Sequence, residues 1–103
     1  MATQALHDLL FKWQKREYAL RINAERLSAA QIQQYCINEV QVLDLNNQLP
    51  EVPEKHIAAL LRRWRERWNE ARNRPREFSP REIQTMCADE LAAMYGVMRE
   101  VWT

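Results

Sequence analysis

Apolar residues recur along this chain at steps of three, four and seven, the spacing that gathers side chains on one face of an α-helix. Leu6, Leu10, Trp13, Leu20, Ala24 and Leu27 trace one such stripe and predict a first helix over roughly residues 3–27. Ile32, Cys36, Val40 and Leu43 trace a second, and Ile57, Leu60, Leu61, Trp64, Trp68 and Ala71 a third. Ile83, Cys87, Leu91, Met94 and Met98 trace a fourth, closed by Val101 or Trp102. No segment alternates apolar and polar residues for long enough to predict a strand.

The breaks between stripes carry helix start and stop signals. Ser28 with Gln31 is a capping box: each side chain can bond the other residue's backbone N–H, while Leu27 and Ile32 form a hydrophobic staple. Ser79, Pro80 and Glu82 repeat this start, with Phe78 and Ile83 as the staple. Asn46 and Asn47 should stop the second helix, since asparagine tolerates the left-handed turn that ends one. Pro50 and Pro53 mark a linker over residues 46–53, and Pro75 ends the third helix. The predicted architecture is all-α: a single helical domain over residues 1–103, with four helices in two tandem helix–turn–helix hairpins packed as an antiparallel, bundle-like unit. The first hairpin takes residues 1–47 and the second 54–103.

The two hairpins also resemble each other. Slid by 51 positions, the chain aligns with itself without a gap, and ten of 51 pairs are identical, against roughly three or four from composition alone. The pairs are Leu9/Leu60, Leu10/Leu61, Trp13/Trp64, Arg16/Arg67, Arg21/Arg72, Ser28/Ser79, Ile32/Ile83, Gln33/Gln84, Cys36/Cys87 and Glu39/Glu90. They fall mainly on stripes and caps, the pattern expected of an internal duplication or of two well-capped hairpins that converged.

Composition removes several function classes. The 103 residues contain one glycine, Gly96, so phosphate-binding glycine loops are excluded. Cys36 and Cys87 lie at matching places on core stripes and read as small buried hydrophobes; the sharper reading is a thiol pair facing across the repeat. His7 and His56 stand in no metal-ligand spacing, so no metal and no cofactor are expected. Glu39 and Glu90 match under the repeat and read as solvated helix-face charges, or else as two carboxylates facing each other. No nucleophile–base spacing is present, and an enzyme with a small-molecule substrate is not expected. The N-terminal residues lack a basic region before an apolar stretch, and the longest apolar run, Leu91 to Met98, is far short of the ~20 residues of a membrane span. No membrane partner is expected, and the cytoplasm is the default location.

Two surface features remain as candidate sites. Net charge is only +1, but seven arginines crowd into residues 62–76. Arg62, Arg65 and Arg72 flank one side of the third stripe, and Arg63, Arg67 and Arg74 the other. Arg62–Glu66, Arg67–Glu70 and Glu70–Arg74 are spaced to pair, which predicts an ion-paired solvent face. Left unpaired, Arg62, Arg65 and Arg72 would instead offer a nucleic-acid surface. The second feature is an extra apolar stripe on the first helix, Phe11, Tyr18 and Ile22, nearly opposite the core stripe. Lys12, Gln14, Lys15 and Glu25 would rim it. Its cover could be the linker Leu49–Val52, a second copy of the chain, or a different protein. The leading expectation is a non-enzymatic adapter or regulatory protein that binds a protein partner or forms a homodimer through Phe11, Tyr18, Ile22 and Lys15. The alternative is nucleic-acid binding through Arg62, Arg65 and Arg72.

Overall fold

The computed structural model describes residues 4–49 and 53–96. Four helices follow in order: α1 (Gln4–Arg21), α2 (Ala29–Leu45), α3 (Glu54–Asn73) and α4 (Pro80–Met94), with a single 3-10 turn at Pro75–Glu77. No strand occurs among the described residues. Met98, Val101, Trp102 and the linker residues Pro50–Val52 lie outside them.

The ends follow local chemistry. Gln31 N–H donates to Ser28 Oγ at 3.1 Å and Ser28 N–H to Gln31 Oε1 at 2.8 Å, the complete capping box. At the second start, Glu82 N–H donates to Ser79 Oγ at 3.4 Å, and Pro80 occupies the first turn. The first helix is shorter than its stripe implied. Asn23 turns left-handed at φ 60°, so Ala24 N–H reaches Ala19 C=O at 2.8 Å and Asn23 N–H reaches Leu20 C=O at 3.3 Å. This Schellman turn ends α1 at Arg21 and leaves Ala24 exposed, while Leu27 is partly buried against the core. Asn47 (φ 54°) closes α2 in the same way, with Gln48 N–H on Leu43 C=O at 2.9 Å.

The helices do not pack most closely with their sequence neighbours. Helix α1 lies mainly on α4, α3 mainly on α2, and α2 crosses α4 at the centre. Helix α1 meets α2 only sparsely, and α3 meets α4 no more closely. The hairpins therefore clasp each other. The core at their junction holds Leu6, Leu10, Trp13, Ile32, Val40, Ile57, Leu60, Trp64, Ile83 and Leu91, all buried. Ala29, Ala88 and Ala92 are buried on the two central helices, where short side chains permit close approach. Trp13 and Trp64 meet with ring centroids 6.1 Å apart and planes tilted by 55°, a favourable aromatic geometry.

Candidate functional site

Where the helices of one hairpin stand apart, long polar side chains bridge them. In the first hairpin, Trp13 Nε1 donates to Glu39 Oε1 at 2.9 Å, and the Arg16 guanidinium grips the same carboxylate at 3.0 and 2.8 Å. In the second, Trp64 Nε1 donates to Glu90 Oε1 at 3.0 Å, and Arg67 grips Glu90 at 2.8 and 2.7 Å. Each arginine also reaches across to the other hairpin: Arg16 donates to Gln84 Oε1 at 3.0 Å and Arg67 to Gln33 Oε1 at 3.3 Å. The amide nitrogens of those glutamines then point at thiols, Gln33 to Cys87 Sγ at 3.2 Å and Gln84 to Cys36 Sγ at 3.6 Å. Five of the ten matched pairs thus make one network whose contacts recur with the halves exchanged.

Charge in this network is satisfied. Burial by itself would push the Glu39 carboxyl up, but the bonds from Arg16 and Lys12, the Arg16 charge and the Trp13 bond hold it below its ordinary range. Burial likewise works against the Arg16 and Arg67 charges, and the bonds and charges of Glu39 and Glu90 outweigh it, so both pKa values are raised. Burial, then the adjoining Cys87 thiol, push the Cys36 thiol well above its ordinary value. Both cysteines are buried free thiols. Two expectations change here. Glu39 and Glu90 neither face each other nor lie on a solvated face, because each is drawn under its own Arg–Trp pair. Arg67 leaves the solvent face for Glu90 rather than pairing with Glu70. Among the described residues, no group of three or more His, Cys, Asp or Glu side chains could hold a metal ion, and no helix is long and apolar enough to cross a membrane.

The two surface candidates separate cleanly from this interior. Phe11, Tyr18 and Ile22 turn outward from α1 and are 50%, 53% and 53% exposed, Ile22 standing one residue past the helix end. Cations sit on the rings: Lys15 Nζ lies 4.6 Å from the Phe11 centroid and the Arg21 guanidinium 5.1 Å from that of Tyr18. Lys15 also borders a hollow between α1 and α2 that is lined by Lys12, Arg16, Ala19, Glu25, Leu27 and Tyr35. Tyr35 is exposed under the Arg16 guanidinium at 5.3 Å and extends the α1 surface onto α2. Its place beside Gln33 and Cys36 on α2 hides this role in the sequence, because only the approach of α1 brings Arg16 over its ring.

On α3, Arg62, Arg65 and Arg72 are all exposed, as their flank predicts. Of the anticipated ion pairs, Glu70–Arg74 forms at 3.5 Å, with Arg74 also on Glu77 at 2.8 Å. Arg62–Glu66 is not an ion pair, and among the described residues Arg62, Arg63 and Arg65 have no carboxylate within 4.0 Å. Arg72 instead lies over the Trp68 ring at 4.6 Å, which explains why that half-buried tryptophan sits at the edge of the core. Compared with protein-family models, curated proteins and solved structures, the chain has no match in any of the three.

Proposed function

We propose that this chain is a small cytoplasmic adapter or regulatory protein without catalytic activity, which binds a protein partner or a second copy of itself through the outer face of α1. The observation that carries the reading is the outward stripe of Phe11, Tyr18 and Ile22, each about half exposed although Leu6, Leu10 and Trp13 on the opposite side of the same helix are fully buried. Apolar surface rimmed by polar groups is the usual mark of a contact site, and aromatic residues are preferred anchors there. Lys15 and Arg21 over the two rings keep the face soluble when free and supply positive charge around the anchors when bound. The clasped core beneath gives that face a rigid backing, which lowers the entropic cost of docking.

The test is a double charge substitution, Phe11→Glu with Tyr18→Glu. Both positions point to solvent, so the variant should keep its helical circular dichroism and melting temperature. Sedimentation velocity over a concentration range then reports self-association, and a photo-crosslinker placed at Ile22 in the native host reports a different partner. Concentration-dependent sedimentation, or one discrete crosslinked species, that the double variant abolishes supports the proposal. A wild type that stays monomeric and yields no discrete crosslink removes it, and a variant that unfolds shows the stripe to be core.

A further inference from the structure

The positions on α3 that match the apolar stripe of α1 have another chemistry. Phe11, Tyr18 and Ile22 correspond, 51 residues on, to Arg62, Asn69 and Asn73. At 100° per residue, Lys55, Arg62, Arg65, Asn69, Arg72 and Asn73 fall within an arc of about 100° on the outer side of α3. All six are exposed. The carboxylates bordering this arc are Glu54 at the first turn and Glu66 at one edge, and neither pairs with Arg62 or Arg65 within 4.0 Å. Arg72 is steadied in place by the Trp68 ring at 4.6 Å and by Asn69 Oδ1 at 3.3 Å.

We propose that this outer face of α3 is a binding surface for double-helical DNA, with Arg62, Arg65 and Arg72 on backbone phosphates and Asn69 and Asn73 turned toward base edges. The inference concerns a different helix from the adapter face and does not depend on it. Three observations select the occupant. Exposed guanidiniums with no carboxylate beside them are free to take an anionic partner, and the planar fork of arginine suits phosphate oxygens. Ala58 is the sole apolar residue within the arc, so an acidic amphipathic peptide would find no pocket or anchor to bury there. No aromatic ring faces outward from the arc, since Trp68 is half-buried beneath Arg72, so a single strand would lack the stacking platform it needs. An exposed helix face fits the major groove of B-form DNA, roughly 12 Å wide, whereas the deep, narrow major groove of an RNA duplex would not admit it, and the face from Lys55 to Arg72 spans about 25 Å at ~1.5 Å per residue. Asparagine offers both a donor and an acceptor to adenine edges there.

The experiment measures fluorescence anisotropy of a short labelled DNA duplex, its RNA duplex counterpart and the single strand, from about 50 to 200 mM salt. Three full-length proteins are compared: wild type, Arg62→Gln/Arg65→Gln/Arg72→Gln, and Arg26→Gln/Arg76→Gln/Arg81→Gln, three exposed arginines outside both α3 and the α1 face. The last removes the same charge away from α3. Wild type should bind the DNA duplex more tightly than the RNA duplex or the single strand, with affinity falling log-linearly in salt. The α3 triple should weaken binding more than tenfold and flatten the salt slope by about 0.9 for each phosphate no longer neutralised. The control triple should retain affinity within about threefold. Absence of DNA duplex binding by wild type at the lowest salt overturns the proposal. So does equal weakening in both triples, preference for the RNA duplex or the single strand, or equal displacement by poly-glutamate, which would make the face a site for an acidic protein. Circular dichroism checks each fold. If the α3 triple unfolds, the single Arg65→Glu decides, with weakening again expected.

Discussion

Replacing Arg67 with methionine isolates the energy of the interior network. Methionine keeps an unbranched apolar stem in place of the arginine's and deletes the guanidinium with its charge. The change removes two charge-assisted bonds to Glu90, at 2.8 and 2.7 Å, and the bond to Gln33 at 3.3 Å. Glu90 is then left charged in a site where its side chain is only 24% exposed, with Trp64 Nε1 at 3.0 Å as its remaining partner. Stripping one partner from a fully buried ion pair costs about 3–5 kcal/mol. Partial exposure of Glu90 and the surviving indole bond lower this to about 2–3 kcal/mol. For a chain of this size each kcal/mol moves the melting temperature by about 4–8 °C, so the expected fall is on the order of 10–20 °C. Urea unfolding followed by helical circular dichroism measures the free energy. The control is Arg65→Met two residues away, exposed and without an ion pair, which should stay within about 0.5 kcal/mol of wild type. Adding Glu90→Gln to Arg67→Met retains an acceptor for Trp64 and removes the orphaned charge. It should recover at least about 1 kcal/mol, the size of coupling expected for groups in contact. If Arg67→Met melts with Arg65→Met, the network carries no stability and its description as a structural clasp is refuted.

Two further outcomes follow from the same interior. Trp64→Ala removes the largest buried side chain of α3 and its packing against Trp13, and should cost about 3–5 kcal/mol, most of the stability of a small domain; a folded variant with unchanged urea midpoint would contradict the core assignment. Glu39 is held below its ordinary carboxylate range in the folded chain, so its ionised form stabilises the fold above the unfolded pKa and that contribution is lost as pH falls through the lowered folded value. Urea midpoints of wild type and Glu39→Gln should therefore differ at neutral pH and converge on acidification below the ordinary carboxylate range; a gap that stays constant with pH would refute the assignment.

Each helix and most of its boundaries are legible in the sequence because they are local. Ser28 with Gln31, Ser79 with Pro80, Asn47 and Pro75 act within one turn of themselves, and stripe spacing alone assigns Trp13, Trp64, Cys36 and Cys87 to the interior. The end of α1 was hidden because Ala24 and Leu27 extend the stripe in register, whereas the left-handed turn at Asn23 ends the hydrogen-bond ladder. The outward faces on α1 and α3 were also legible, since a helix fixes which side chains lie opposite its core. The partner of each charge was not. Arg67 has Glu70 three residues away on its own helix, yet takes Glu90, because packing the second hairpin against the first brings the guanidinium beside the half-buried Glu90 carboxylate and the Gln33 amide oxygen. The matched pairs at 51 residues recorded which side chains recur, but not that Gln33 serves the thiol of the other half or that Arg16 reaches Gln84. Those links join residues 54 and 68 positions apart, and they exist only once α2 and α4 cross at the centre of the fold.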